Sequence, residues 1–180
     1  MLKTGIALLA EPFLRDPNFK RSAVALVDHH EEGSVGFVLS RALEWRVSEV
    51  IDGFPEFDQF VSYGGPVQRD TLHFVHTLGD VLSDSIHVVD DLYWGGDFAQ
   101  LTDMIGGGVA TPQTVRFFLG YSGWGVDQLQ EEYAEGTWVL APLESSLVFA
   151  TPPDRAWQRA MRRKGDALGV IGLMDDERPN

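Results

Sequence analysis

Three clusters of glycines beside aromatic residues constrain the fold of this chain more than any other feature of its sequence. Each combines a tyrosine or tryptophan with at least two glycines. They are Tyr63-Gly64-Gly65-Pro66, Tyr93-Trp94-Gly95-Gly96-Asp97 and Gly120-Tyr121-Ser122-Gly123-Trp124-Gly125. Because glycine suits positive φ angles and close approach of two backbones, we expect the clusters to mark a shared architectural centre or to rim a pocket of bare amides. They do not specify a reaction.

The composition is that of one globular domain. The 180 residues are 44% hydrophobic, enough for a substantial core, and we place the domain at residues 1–173 with a loose polar tail at residues 174–180. No apolar run approaches the about 20 residues of a membrane span, and the start of the chain lacks the apolar stretch of a secretory signal. The absence of cysteine excludes disulfides, thiolate zinc sites and cysteine nucleophiles. We therefore expect a cytoplasmic protein that does not enter a membrane.

The net charge of −13 is concentrated in the middle of the chain. Residues 51–150 contain two basic residues, Arg69 and Arg116, against fifteen acidic ones, whereas the two flanks are nearly neutral. Nucleic-acid-binding domains gain much of their affinity by neutralising phosphates, which this segment would repel. Direct binding of DNA or RNA is therefore not expected, and the acidity is interpreted as a contribution to solubility.

Short apolar runs alternate with helical patterns along the chain. Strands are predicted at residues 6–9, 22–27, 35–39, 60–63, 72–76, 86–89, 115–119, 137–140 and 147–149. Residues 22–39 are typical of a hairpin around a polar turn at 28–33. Helices are predicted at residues 47–51, after Asp97, around residues 126–136 and after Thr151.

Capping residues and apolar stripes specify three of these helices further. Asp97 and Gln100 predict a capping box, and Thr151 with the following prolines predicts an N-cap. The residues expected to face inward are Phe98, Leu101, Met104 and Ile105 in the first, Val126, Leu129 and Tyr133 in the second, and Ala156, Trp157, Ala160 and Met161 in the last.

Several motifs resemble catalytic or metal sites without meeting their requirements. The segment at 120–124 resembles the G-x-S-x-G nucleophile elbow, but Trp124 occupies a position that must be small, so a close strand-to-helix crossing is the better interpretation. His73 and His76 would share a face of a helix but point to opposite faces of the predicted strand, which argues against a metal site. The acidic and histidine residues at 28–32 are interpreted as a solvated hairpin tip.

The glycine pairs also do not meet the requirements of phosphate loops. Asp97 would repel an anion at Gly95-Gly96, and Pro66 removes an amide after Gly64-Gly65. Neither pair fits the P-loop or dinucleotide motif. The basic residues of the last helix are expected to complement its carbonyl end. We therefore expect neither a cofactor nor a bound metal.

The order of these motifs resembles the YqgE/AlgH family. It is carried by Leu8-Leu9-Ala10-x-Pro12, Asp16-Pro17-Asn18-Phe19-x-Arg21-Ser22, His30 with Gly33 and Gly36, Gly64-Gly65-Pro66-Val67, Gly95-Gly96-Asp97, Gly120-Tyr121-Ser122-Gly123-Trp124, Gln128-Leu129 and Trp138. The resemblance covers residues 4–165. It implies an α+β fold, with a mixed, mostly antiparallel sheet partly curled into a small barrel and flanked by helices. The family is often labelled a transcriptional regulator. No catalytic residues are established for it, so the resemblance implies none here.

Two departures from the family pattern bear on function. The family usually has Leu-Asn-Arg-Pro where this chain has Leu39-Ser40-Arg41-Ala42, so an amide and a rigid proline are missing from a loop near the expected pocket. The family usually has alanine where Ser122 stands, which further weakens a nucleophile role for that serine.

These observations favour a non-enzymatic binding or regulatory domain with a protein or small-molecule partner. Its expected contact surface is the loop from Asp16 to Arg21 together with the aromatic–glycine clusters. Two alternatives remain open: a hydrolase with an unrecognised site using Asp16, His30 or Asp97, and a transcriptional regulator that acts indirectly. The candidate binding residues are Asp16, Arg21, Tyr63, Gly64, Gly65, Trp94, Gly95, Gly96, Asp97, Tyr121 and Trp124.

Overall fold

A computed structural model describes residues 1–165 and contains one ten-stranded sheet with five α-helices in that range. The strands are β1 Ile6–Ala10, β2 Ala23–His30, β3 Gly33–Val38, β4 Ala42–Arg46, β5 Phe60–Tyr63, β6 Val67–His76, β7 Ile86–Val89, β8 Leu92–Trp94, β9 Val115–Trp124 and β10 Trp138–Pro142. The helices are α1 Val47–Val50, α2 Phe98–Gly106, α3 Gln128–Ala134, α4 Ser145–Phe149 and α5 Ala156–Lys164, with a 3₁₀ turn at Pro153–Arg155.

The sheet is mixed but mostly antiparallel. Its main path runs β10-β1-β2-β3-β9-β6-β8-β7, with every neighbouring pair antiparallel. The β4–β5 pair joins this path through β5, which runs parallel to β9. β9 is therefore the hub of the sheet, because it pairs with β3, β5 and β6 along its length.

The sheet curls so that its two ends approach each other. An ideal Cβ on Gly5, just before β1, would lie 2.6 Å from the Cβ of Val89 in β7. The curl remains open, because the strand order of residues 1–165 ends at β10 and β7, which are not paired with each other. The expected α+β class with a curled, mostly antiparallel sheet is thus confirmed.

The first strands are buried on both faces, which explains their nearly continuous apolar runs. One face of β1–β3 packs with α4 and α5, through residues such as Leu9, Phe37 and Trp157. The other face packs with α3, through residues such as Leu8 and Leu129. A third cluster lies between α2 and the strands β5, β6 and β9. Each aromatic–glycine cluster therefore lies beside one of these three core clusters.

The start of α2 follows the sequence prediction only in part. Asp97 Oδ1 accepts a hydrogen bond from the Gln100 amide at 3.0 Å, as expected of an N-cap. The Gln100 side chain does not complete a capping box. Instead its Oε1 accepts from Ser83 N and its Nε2 donates to Val81 O. The side chain therefore ties α2 to the preceding loop.

Three other local predictions are wrong. Residues 147–149 form part of helix α4 rather than a strand, since a three-residue apolar run cannot distinguish the two. Thr151 does not cap the last helix, because its hydroxyl donates to Ser146 O. Of the three residues predicted to face inward in α3, only Leu129 is buried. Tyr133 is exposed, as is Val126, which precedes the helix.

The third aromatic–glycine cluster does not form the strand-to-helix crossing expected from the sequence. Gly120 to Trp124 lie inside β9 and not at a strand-to-helix crossing. The inward residues predicted for the last helix are buried as expected. No helix within residues 1–165 is long and apolar enough to span a membrane. The predicted tail at 174–180 lies outside the described residues.

Candidate functional site

The first and third aromatic–glycine clusters meet at the junction of β5 and β9. Gly64 N donates to Leu119 O at 2.9 Å, and the Ser122 hydroxyl donates to Gly64 O at 3.1 Å. A Cβ on Gly65, which has a φ of 155°, would lie 2.2 Å from the carbonyl carbon of Tyr121. The glycines are therefore required for this close contact between backbones.

The second cluster lies apart from this junction. Gly95 N donates to Phe74 O at 3.0 Å, and Gly96 packs against Leu82. The Trp94 ring centroid lies 6.1 Å from that of Phe37, in the core on the α5 side of the sheet. The second cluster thus contributes to packing at β8, on the same side of the sheet as Tyr121 of the third cluster.

Two guanidinium groups lie close to the Tyr63 ring at the edge of the first cluster. The Cζ atoms of Arg41 and Arg69 are 4.6 Å and 5.5 Å from its ring centroid, a cation–π arrangement. Its hydroxyl donates to Asn18 Oδ1 at 3.1 Å. Both arginines are exposed, and no carboxylate within residues 1–165 lies within salt-bridge distance of either. We call Asn18, Arg41, Tyr63 and Arg69 the Tyr63 surface.

The loop from Asp16 to Arg21 packs beside this surface. Asp16 Oδ1 accepts from the Asn18 amide at 2.8 Å, which holds the turn that presents Asn18 to Tyr63. The Phe19 ring stacks on Trp124 at 6.2 Å between centroids. The Arg21 guanidinium lies 5.0 Å from the ring centroid of Trp157, on the α5 side of the sheet.

Trp124 is fixed by a shared carboxylate. The indole Nε1 atoms of Trp124 and Trp138 donate to the same oxygen, Oε2 of Glu132, at 2.9 Å and 2.8 Å. Phe19 packs against both rings. This cluster ties α3 to the strands and gives the loop a rigid base.

The candidate binding residues are therefore divided between the faces of the sheet. Tyr63 and Trp124 belong to the core on the α3 side, with Asp16 close by through Asn18. Trp94 and Tyr121 pack on the α5 side, where Arg21 also lies. Asp97 caps α2, which packs on the third core cluster. The binding role of these residues remains a prediction.

The residues proposed for a hydrolase are each engaged locally. Asp16 accepts from the Asn18 amide, Asp97 from the Gln100 amide, and His30 Nε2 lies 3.2 Å from Asp28 Oδ2. No hydrogen bond or ion pair within residues 1–165 joins any two of Asp16, His30 and Asp97. Their arrangement provides no nucleophile–base pair.

The histidines of β6 are partly or fully buried and point in different directions. Burial lowers the pKa of His73, whose Nε2 lies 3.0 Å from the Thr71 hydroxyl. Burial also lowers the pKa of His76, although its hydrogen bond to Gly95 O opposes the shift. No group of three metal-ligating residue types that could hold an ion occurs within residues 1–165.

Sequence reasoning missed the three arginines that are prominent in the structure, Arg41, Arg69 and Arg116. Arg116 is 6% exposed and donates to the Ser62 hydroxyl oxygen at 2.9 Å and to two backbone carbonyls, those of Val148 and Leu39. Burial lowers its pKa to about 10. The one available signal was that Arg69 and Arg116 are the only basic residues between 51 and 150.

Comparison with known proteins gives a consistent family match. Residues 7–169 match the family model described as AlgH-like (DUF179). A UPF0301 protein of Chlorobaculum parvum is 47% identical over 92% of this chain and 88% of its own length, and one of Cytophaga hutchinsonii is 40% identical over 95% and 94%.

Solved structures extend the similarity to the fold. The solution structure of the AlgH protein from Pseudomonas aeruginosa matches with a TM-score of 0.76 and 25% identity over 100% of this chain and 99% of that one. The crystal structure of protein DIP2367 from Corynebacterium diphtheriae matches with a TM-score of 0.83 over 96% and 92%. At 23% identity, that second match concerns the fold alone.

Proposed function

The chain belongs to the AlgH-like family, and we propose that it is a non-enzymatic binding domain that holds an acidic partner segment on the Tyr63 surface. The observation that carries this proposal is the pair of exposed guanidiniums, Arg41 and Arg69, held against one tyrosine ring. The cysteine-free sequence supports a cytoplasmic location for this activity.

The charge distribution supports an acidic partner. Arg69 is one of two basic residues in a segment that carries fifteen acidic ones, and the other, Arg116, is buried. Arg41 and Arg69 therefore form a local cationic site on an acidic protein. A guanidinium presents a planar fork of donors that matches a carboxylate, so the side chains of Asp or Glu are the natural ligands.

The rigidity of the surface supports binding as well. Tyr63 is 5% exposed and is held by Asn18, and Gly64 and Gly65 follow it in close contact with β9. Stacking on this fixed ring limits the freedom of both arginines before a partner arrives. Less entropy is then lost on binding than for freely moving side chains.

A charge-reversal experiment tests the proposal. We expect a fluorescein-labelled peptide of consecutive glutamates to bind the wild type, with affinity that falls as salt is raised. Arg41→Glu/Arg69→Glu should weaken binding at least tenfold by fluorescence anisotropy. A glutamine peptide of equal length should not bind.

Lys3→Glu/Arg159→Glu provides the matched control, because both residues are exposed and the change in net charge is the same. It should bind the peptide far better than the Tyr63-surface variant does. An equal loss of peptide affinity in the two double variants would show that net charge alone explains the binding. The absence of peptide binding by the wild type would refute the proposal.

The alternatives make different predictions for the same preparations. A hydrolase requires turnover in a broad substrate panel at several metal concentrations, and that turnover should be lost on alanine substitution of Asp16, His30 or Asp97. A regulator that acts indirectly does not bind DNA itself, so a gel shift that survives physiological salt would contradict it. None of the contacts described above favours the hydrolase or the regulator over the binding domain.

A further inference from the structure

Arg116 lies on the other side of β5 from the Tyr63 surface. It donates to the side chain of Ser62, and consecutive residues of a strand point to opposite faces. Its guanidinium is held by three segments that are distant in sequence: the end of β3 at Leu39, β5 at Ser62 and α4 at Val148. Any role of this group is therefore separate from that of Arg41 and Arg69.

Every hydrogen-bond acceptor of Arg116 within residues 1–165 is neutral. They are one hydroxyl and two carbonyl oxygens, at 2.6–3.0 Å, and no carboxylate lies within salt-bridge distance. A guanidinium has five N–H donors, so two remain, one on each terminal nitrogen. A buried cation is normally compensated by a negative charge, and residues 1–165 place none beside this one.

A cavity of about 290 Å³ opens beside this cation. Arg116 is the one charged residue in its lining. The neutral polar lining residues are Gln59, Ser62, Gln113 and Thr151, and the apolar ones include Phe60, Val148 and Phe149. The volume is close to the lower limit of small-molecule pockets. The Ser62 oxygen accepts from Arg116, and its own hydrogen has no acceptor within residues 1–165, so it is available to a ligand.

We propose that this cavity binds a small monocarboxylate with an apolar or aromatic substituent. The carboxylate would accept from the remaining N–H donors of Arg116 and from the Ser62 hydroxyl, which compensates the buried charge. The substituent would pack against Phe60 and Phe149. A single cation in the lining favours a monoanion over a doubly charged phosphate.

Benzoate is the probe that tests this site, with benzyl alcohol as its neutral counterpart and inorganic phosphate as the competing anion. Titration of the full chain followed by ¹H–¹⁵N NMR should give saturable shifts at the amides of Ser62 and Val148 and at Arg116 Nε–H. Benzyl alcohol should produce no saturable shifts there. Phosphate should bind at least tenfold more weakly than benzoate.

A rim variant tests the site without removing the buried arginine. Gln113 is exposed, and Gln113→Glu would place a competing carboxylate in the cavity, so benzoate affinity should fall at least tenfold. Gln68→Glu changes the charge equally outside the cavity and should bind benzoate like the wild type. Arg116→Met should lose the benzoate shifts if the variant folds.

Three outcomes would overturn the proposal. The absence of saturable shifts with both anions would leave Arg116 as a clamp between β3, β5 and α4 only. Saturation by phosphate without saturation by benzoate would show that the ligand class is wrong. Equal affinities of Gln113→Glu and Gln68→Glu for benzoate would place its binding elsewhere.

Discussion

His76 shows how one buried side chain makes stability depend on pH. Its Nε2 lies 2.7 Å from Gly95 O, and its Nδ1 accepts from the Leu78 amide at 3.0 Å, which assigns the neutral ring with a proton on Nε2. Burial lowers the pKa of His76 below the usual 6.5. Protonation of Nδ1 would also break the bond from Leu78, so acid disfavours the folded state.

The pH dependence has a definite sign. Below pH 6.5 the unfolded chain binds a proton at His76 that the folded chain still excludes, so the free energy of unfolding should fall as the pH drops from 7.5 to 5.5. Urea unfolding at several pH values measures this slope, which should decrease in His76→Gln. His87→Gln, at an exposed position of β7, should keep the wild-type slope. An unchanged slope in His76→Gln would contradict the assignment.

At the level of elements, the glycine pairs serve the contact between strands. Gly65→Ala would place a methyl group 2.2 Å from the Tyr121 carbonyl carbon, where β5 meets β9, so we expect destabilisation above about 4 kcal/mol or failure to fold. Gly95→Ala is the matched change in the second cluster. Its φ is 69° but its Cβ would meet nothing within 4 Å, so about 1–2 kcal/mol of backbone strain is expected.

Urea unfolding of the two glycine variants gives the comparison directly. Similar losses of stability in both would show that strain from positive φ, and not the contact between backbones, explains why glycine is needed at these positions. A small loss in Gly65→Ala would mean that β5 and β9 can separate without cost. Either result would remove the structural explanation of the first and third clusters.

At the level of the whole molecule, a hydrogen bond joins the first strand to α5, the last helix of residues 1–165. Trp157 Nε1 in α5 donates to Ala10 O in β1 at 2.9 Å, across 147 positions of the sequence. Trp157→Phe leaves that buried carbonyl without the indole donor and should cost about 1–3 kcal/mol in the free energy of unfolding. Trp45→Phe, at an exposed position of β4, should stay within about 0.5 kcal/mol of the wild type.

Chemical denaturation followed by circular dichroism measures both tryptophan variants without relying on tryptophan fluorescence. An equal effect of the two substitutions would show that the bond between α5 and β1 contributes nothing specific. A larger effect for Trp157 alone would show that the two ends of the described chain stabilise each other across the curled sheet.

Local sequence patterns predicted most strands because their apolar residues are buried against neighbouring layers. β4 was missed because its residues, including Trp45, are mostly exposed at a sheet edge and show no alternation. The segment at 147–149 was assigned wrongly because its apolar run fits a short helix equally well. The loop from Asp16 contacts Tyr63 through Asn18 and Trp124 through Phe19, and its binding role remains a prediction.

The sequence by itself determined the family, the α+β class and the concentration of acidic charge. These properties depend on composition, order and local conformation. Only the tertiary structure decided which groups each arginine meets. Arg116 contacts Leu39, 77 positions away, and Arg41 and Arg69 reach one ring because strands distant in sequence pair in the sheet. Sheet order is set by the packing of the whole chain, which no local pattern of residues contains.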